Sequence, residues 1–349
     1  NARAYHRYCS RNDLCLTHAL TDQFYDRTKR ASEQEDPDLI LHIVGEKKEG
    51  AVVRGLRTLA TLAPMSDEVL VYPNRPRDSD ETDYAIAFAI PMNTPGLKIV
   101  CRDLYAEHAD PERHPLTTRF DEVDAALIFD DVLVPWERIF VYKDPKLLAG
   151  INYIHTWAQY STMLRLITKL EAFLGVAQLL TQWGNRNKSA SAQILLASLI
   201  QDIEILRACM QVAESKGYRS PGGTWAPLLS AAYRIHSIEA SDRAERTMEG
   251  LLTSYLMLSG GASDLDSPGL GPLIERYFRG GAPTTKDHLR VLATAADMVM
   301  SPFGKRSQLY ERLQSGEVDR TRQRLFNQYK DQAPAERILQ FIRDFDKAR

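Results

Sequence analysis

Among the residues of this chain, His18 has the plainest capacity for chemistry. With Thr17 it closes a mostly apolar run from Leu14 to Leu20, which predicts an imidazole near the end of a strand. A histidine titrates near neutral pH, so it can accept a proton from a hydroxyl group. On composition alone the same residue reads more readily as a structural histidine held by backbone. Thr61 lies in Leu59-Ala-Thr-Leu-Ala-Pro64. Its hydroxyl can donate and accept, although threonine also suits a strand for steric reasons. Phe24-Tyr25-Asp26-Arg27 follows His18 by a short turn. A guanidinium there can meet a pyrophosphate while Asp26 orients it, and a surface ion pair is the plain alternative. Ser301-Pro302-Phe303-Gly304 interrupts a helical pattern between Met300 and Lys305. Proline and glycine there break the helix and free backbone amides at the next helix start, an anion-binding arrangement or simply a tight corner.

Two kinds of element have to carry these residues, and the chain changes character near residue 143. Before it, short β-rich runs alternate with turn signals: Leu39 to Val44, Ala51 to Leu62, Glu68 to Tyr72, Tyr84 to Ile90, Leu97 to Cys101 and Ala125 to Phe129. Strands so closely spaced, with no helix between them, predict an antiparallel sandwich or barrel over residues 1–142. After it, apolar residues recur at helical spacing over Ile151 to Gln182, Ser189 to Ser215 and Pro227 to Leu258. Shorter helices are expected over Leu273 to Arg279, Thr285 to Met300, Gly304 to Ser315 and Arg320 to Lys330. Residues 143–349 therefore read as a helical bundle domain, and the fold class is α+β.

Composition narrows the function classes. The chain has 349 residues, 44% hydrophobic and 26% charged, with a formal net charge of −2. That charge offers no electrostatic footprint for nucleic acid, and no basic run is long enough for an anionic membrane surface. No stretch of about 18 apolar residues is present to span a bilayer. The four cysteines, Cys9, Cys15, Cys101 and Cys209, show no C-x-x-C spacing, which points to a reducing cytoplasm. No G-x-G-x-x-G fingerprint is present, so NAD(P)H binding of the Rossmann type is not expected. The opening residues do not read as a signal peptide, and the chain begins on Asn, as if within a longer protein. Arg54, Arg57 and Arg102 read as solvated strand residues.

Four segments together carry a family resemblance. They are Asp13-Leu-Cys-Leu-Thr-His18, Leu59 to Pro64, Phe129-Asp-Asp-Val-Leu-Val-Pro-Trp-Glu-Arg138 and Ser301-Pro-Phe-Gly-Lys-Arg-Ser-Gln-Leu-Tyr-Glu-Arg312. Their order and spacing resemble the 4-hydroxyphenylacetate 3-monooxygenase family, the large oxygenase component of two-component flavin systems. The resemblance implies the acyl-CoA dehydrogenase fold, with flavin between the β and helical parts, and a further helical domain ahead of the first segment. It implies FAD as cofactor, taken up as FADH2 from a separate NAD(P)H:flavin reductase. It implies a C4a-hydroperoxyflavin that ortho-hydroxylates a 4-hydroxyphenyl substrate, free or carrier-tethered, to a catechol with O2 as co-substrate. It also implies a homotetramer packed through the long helices.

The resemblance places His18 beside the substrate hydroxyl as the catalytic residue and Thr61 at the reactive edge of the flavin. Further flavin contacts fall on Phe24, Tyr25, Asp26 and Arg27, and on Ser301, Pro302, Phe303 and Gly304. The family usually has glutamate where this chain has Pro302, which removes one amide donor. Substrate contacts fall on His18 and on the loop after Glu68 to Tyr72. There the family members that act on 4-hydroxyphenylacetate carry a hydroxyl-bearing pair, and this chain carries Pro73 and Asn74. That departure points to a different substrate tail. The alternative reading is a flavin-dependent acyl-CoA dehydratase or dehydrogenase of the same fold. The cysteines do not match the iron–sulfur pattern of the dehydratase, and no dehydrogenase glutamate motif is apparent in the late helices. No metal site is expected.

Overall fold

The structure is a computed structural model that describes residues 1–150, 155–220, 222–258, 260–315 and 318–347. The expected helix start at Ile151 lies outside the described residues. The chain divides into two compact units, each taken here by itself. One comprises Asn1–Ala109 and Thr118–His155, the other Asp110–Thr117 and Thr156–Arg349.

The first unit opens on helix α1 (Ala2–Asn12), ended by Asp13 in the left-handed region. The strands that follow are β1 (Leu16–Ala19), β2 (His42–Lys47), β3 (Gly50–Thr61), β4 (Glu68–Val71), β5 (Ile86–Pro91), β6 (Leu97–Cys101), β7 (Asp124–Pro135) and β8 (Ile139–Tyr142). A single turn, α2 (Thr117–Phe120), precedes β7, and α3 (Pro145–Ala149) follows β8. They form two four-stranded sheets, in the orders β1-β4-β5-β8 and β2-β3-β7-β6. Val69, Val71, Ile86, Phe88 and Ile90 of the first sheet share one core with Val53, Ala60, Leu127, Phe129 and Val134 of the second. Phe88 and Phe129 meet edge-on there, ring centroids 5.9 Å apart. This is a β-sandwich, with one departure from the antiparallel expectation: β1 runs parallel to β4. Parallel neighbours need a long crossover. The chain between them supplies it by building β2 and β3 of the opposite sheet.

Strand β7 is longer than the run Ala125 to Phe129 predicts, because Asp130 and Asp131 turn outward while Val132 and Val134 rejoin the core. Gly55, at φ 125, marks a bulge where β3 meets the Ile40–Leu41 backbone. A Cβ there would stand 2.6 Å from Leu41.

The second unit contains α4 (His155–Trp183), α5 (Ala190–Ser215), a two-strand turn of β9 (Tyr218–Arg219) and β10 (Trp225–Ala226), then α6 (Ala231–Leu252), α7 (Gly271–Tyr277), α8 (Thr285–Val299), α9 (Pro302–Ser315), α10 (Val318–Gln328) and α11 (Ala333–Lys347). Ser189, Ser230 and Thr284 cap α5, α6 and α8 by accepting from amides of the first turn. Leu166, Leu170 and Phe173 of α4 pack with Leu199 and Leu206 of α5, Met248 and Leu251 of α6, and Leu292 and Val299 of α8. Helix α6 stops short of the expected Leu258. Thr253 takes φ 49, and the chain continues as a 3-10 turn. Asp297, buried on α8, anchors the 110–117 segment by accepting from the Leu116 and Thr117 amides at 2.8 Å and the Thr117 hydroxyl at 2.5 Å.

Candidate active site

His18 stands on β1, an edge strand hydrogen-bonded on one side to β4. Thr17 and Ala19 are buried, while His18 alternates to the other face, beside Leu70. The imidazole lies edge-on to Tyr72, centroids 6.4 Å apart. The side chain reaches solvent, yet enough protein crowds it that desolvation lowers its pKa from the ordinary 6.5. At neutral pH it is therefore an uncharged base. The β1–β4 pairing continues past the strand ends: the Tyr72 amide donates to Ala19 at 3.3 Å and the Asn74 amide to Leu20 at 2.9 Å. The structure thus brings the buried Pro73 and the exposed Asn74 alongside the strand that carries His18.

The end of β3 adjoins the same strand. The Thr17 hydroxyl donates to the Thr61 carbonyl at 2.6 Å, and the Thr58 amide donates to the Thr21 carbonyl at 2.9 Å. The pairing of β3 with β7 slips between Arg57 and Ala60, and Leu59 and Leu62 both sit in the left-handed region, at φ 61 and 59. A branched side chain in that region costs on the order of 1–3 kcal/mol. Strained leucines thus bracket Thr61 on both sides, and the bulge re-aims it. Ala60 points into the core, and Thr61 pairs with Asp124 across the sheet. The Thr61 hydroxyl donates to Asp124 Oδ1 at 2.8 Å. Asp124 Oδ2 accepts from Arg102 Nε at 3.3 Å, and Arg102 Nη2 donates to the buried Asp121 at 2.6 Å. Arg102 is therefore not the solvated strand residue expected: it stands at the centre of a part-buried acidic pair.

Phe24, half-buried, lies under the Arg75 guanidinium at 5.1 Å. Tyr25 is 73% exposed. Asp26 does not orient Arg27. Its carboxylate accepts from the Thr28 amide at 2.9 Å and hydroxyl at 2.6 Å, bonds that hold its pKa down. Gln34 fixes the same turn by donating to the Asp26 carbonyl at 2.8 Å. Arg27 is exposed, and no ion pair of it is found among the described residues.

Asp22, Arg57 and Arg77 are the residues that sequence reasoning missed. Arg57 is fully buried rather than solvated. It forms an ion pair with Asp22, which also accepts from Arg77 Nη2 at 2.6 Å. Burial, then the charge of Arg77, lowers the Arg57 pKa well below its usual value, and burial brings Arg77 to about 10. Asp22 thereby joins the segment after His18, strand β3 and the loop that begins at Pro73. The available signal was periodicity, since Arg57 falls on the inward step of Ala51, Val53 and Gly55.

In the helical unit, Ser301 caps α9. Its hydroxyl accepts from the Gly304 amide at 3.0 Å and donates to the Asp297 carbonyl at 2.8 Å. Pro302 has no amide hydrogen and Gly304 already has a partner, so this corner offers fewer free donors than its sequence promises. A Cβ on Gly304 would meet the Asp297 and Met298 carbonyls at 2.5 Å, so glycine is required by helix packing. Pro302 is exposed and Phe303 half-buried.

Comparison with known proteins identifies the family. Residues 1–141 match the family model for the 4-hydroxyphenylacetate 3-hydroxylase N terminal region, and residues 148–343 that for the C terminal region. A 4-hydroxyphenylacetate 3-monooxygenase oxygenase component of Thermus thermophilus is 35% identical over 99% of this chain and 72% of its own length. A Streptomyces globisporus monooxygenase of a carrier-bound 3-amino-3-(3-chloro-4-hydroxyphenyl)propanoyl group is 30% identical over 92% of this chain and 63% of its own. The crystal structure of a 4-hydroxyphenylacetate 3-monooxygenase oxygenase component complexed with FAD and 4-hydroxyphenylacetate superposes with TM-score 0.91 at 34% identity, covering 99% of this chain and 73% of that one. This chain belongs to the 4-hydroxyphenylacetate 3-hydroxylase family.

Proposed function

We propose that this protein is the oxygenase component of a two-component phenol monooxygenase. It converts a 4-hydroxyphenyl substrate, O2 and FADH2 into the catechol, water and FAD. What supports the reading is family membership, together with an uncharged imidazole on β1 and, on the adjoining strand β3, a threonine hydroxyl whose proton is held by Asp124. The residues fit reduced FAD: Thr61 offers lone pairs to a ring N–H, Arg27 an exposed cation to a pyrophosphate, and Phe24 and Tyr25 flank it in sequence. Reduced FAD, when bound, supplies activation of O2 and transfer of one oxygen atom. His18 accepts the phenol proton at a ring nitrogen, and the phenolate it leaves is nucleophilic at the carbon ortho to oxygen. Pro73 and Asn74 border the ring and its tail. They stand where a change of side chain alters the substrate without touching the base. Ser301, Pro302, Phe303 and Gly304 are assigned to FAD from the family resemblance.

A separate NAD(P)H:flavin reductase supplies the FADH2. Leu164 on α4 and Ile194 and Ile200 on α5 expose apolar surface that fits assembly into a homotetramer. Among the described residues no helix is long and apolar enough to cross a membrane. The four cysteines are free thiols, and we place the protein in the cytoplasm. The test is to load the protein anaerobically with FADH2, admit O2 with a series of para-substituted phenols, and measure catechol against flavin oxidised. Catechol from at least one phenol supports the reading. Hydrogen peroxide alone with every phenol, or turnover of an acyl-CoA thioester instead, overturns it.

A further inference from the structure

We infer that Asp124 holds Thr61 as a hydrogen-bond acceptor only, and that this makes the site selective for reduced over oxidised flavin. A free threonine hydroxyl adapts to either kind of partner, donating to one and accepting from another. Thr61 is not free. Its hydrogen points to Asp124 Oδ1 at 2.8 Å, and a carboxylate is a stronger acceptor than a neutral ring nitrogen. Asp124 is itself fixed from both directions. Its backbone carbonyl accepts from the Arg102 amide at 3.1 Å, and its second carboxylate oxygen accepts from Arg102 Nε at 3.3 Å. Arg102 is tied in turn to Asp121, whose side chain is 1% exposed. The hydroxyl that faces outward from the strained turn therefore presents lone pairs and no proton.

The consequence follows from flavin chemistry, and it rests on the reading that Thr61 meets the central ring of FAD. Reduced flavin carries a hydrogen on N5 and can donate to Thr61. Oxidised flavin has only a lone pair there, which would face the lone pairs of Thr61. The arrangement retains the form delivered by a reductase and releases the spent form. Asp124 and Arg102 act through Thr61 and are positioning residues.

The experiment measures dissociation constants for FADH2, anaerobically, and for FAD, in wild type and in Thr61→Val, Thr61→Ser and Asp124→Asn. In Asp124→Asn the side-chain oxygen is held by the cationic Arg102, so the amide nitrogen turns to Thr61 and donates. That frees the hydroxyl to donate to oxidised N5. The preference for FADH2 is expected to shrink roughly three- to tenfold, about the worth of one hydrogen bond. Thr61→Ser keeps the preference and Thr61→Val loses it. Asp124→Ala, which adds no donor but leaves the hydroxyl free to rotate, gives a smaller change in the same direction and serves if the asparagine variant folds poorly. If Thr61→Val keeps the wild-type ratio, FAD does not meet Thr61 and the proposed site itself is wrong. If Thr61→Val loses the preference while both Asp124 variants keep it, the site stands and the inference is overturned.

Discussion

Asp22→Ala is the sharpest test of how the β unit holds its site together. The side chains of Arg57, Asp22 and Arg77 are 0%, 1% and 2% exposed, so water cannot substitute for a lost partner. Removing the carboxylate leaves two guanidiniums facing each other in the interior. Breaking a buried pair from one side costs about 3–5 kcal/mol, and here one acid serves two bases. Arg77→Met should cost less, because Asp22 keeps Arg57. Replacing all three residues by apolar ones of similar volume should recover much of the loss, since buried charges are often matched by packed hydrophobes. Stability is read by urea unfolding, with hydrogen exchange at the β3 amides locating the loss in this unit. A loss under about 1 kcal/mol for Asp22→Ala, or no recovery in the triple replacement, would refute the buried-cluster reasoning.

Other outcomes are equally specific. His18→Ala should lower phenol hydroxylation by on the order of 10²–10⁴-fold while FADH2 binding persists, and alkaline pH near the phenol pKa of about 10 should partly rescue it; wild-type rate and coupling in this variant would make His18 structural. Because burial lowers the His18 pKa, the base is present at neutral pH and is lost as pH falls through a value below 6.5. The acid limb of kcat/KM should therefore centre below 6.5, and a limb above it would contradict the assignment. Asp297→Ala leaves the Leu116 and Thr117 donors without their acceptor and should destabilise the helical unit by about 1–3 kcal/mol, seen as a lowered urea midpoint. Sedimentation at micromolar concentration should give a tetramer, and a monomer would argue against assembly through α4 and α5.

Periodicity in the chain was enough to separate a strand-rich part from a helix-rich part, because burial of one face imposes a repeat of two or of 3.6 residues locally. The same local logic located His18 and Thr61 at strand ends, and the Ser301–Gly304 corner between two helices. It could not pair β1 parallel to β4. Strand partners far apart in sequence are chosen by which sheet edges and core faces meet, and that is not written within either strand. Nor could it name the partners of Arg57: a period of two turns that residue inward, but Asp22 and Arg77 arrive from two separate loops. Asp124 is the clearest case. In sequence it is one acid among several around the start of β7. Only the cross-strand pairing with Thr61, set by a bulge at Leu59, turns it into the group that decides which way a hydroxyl points.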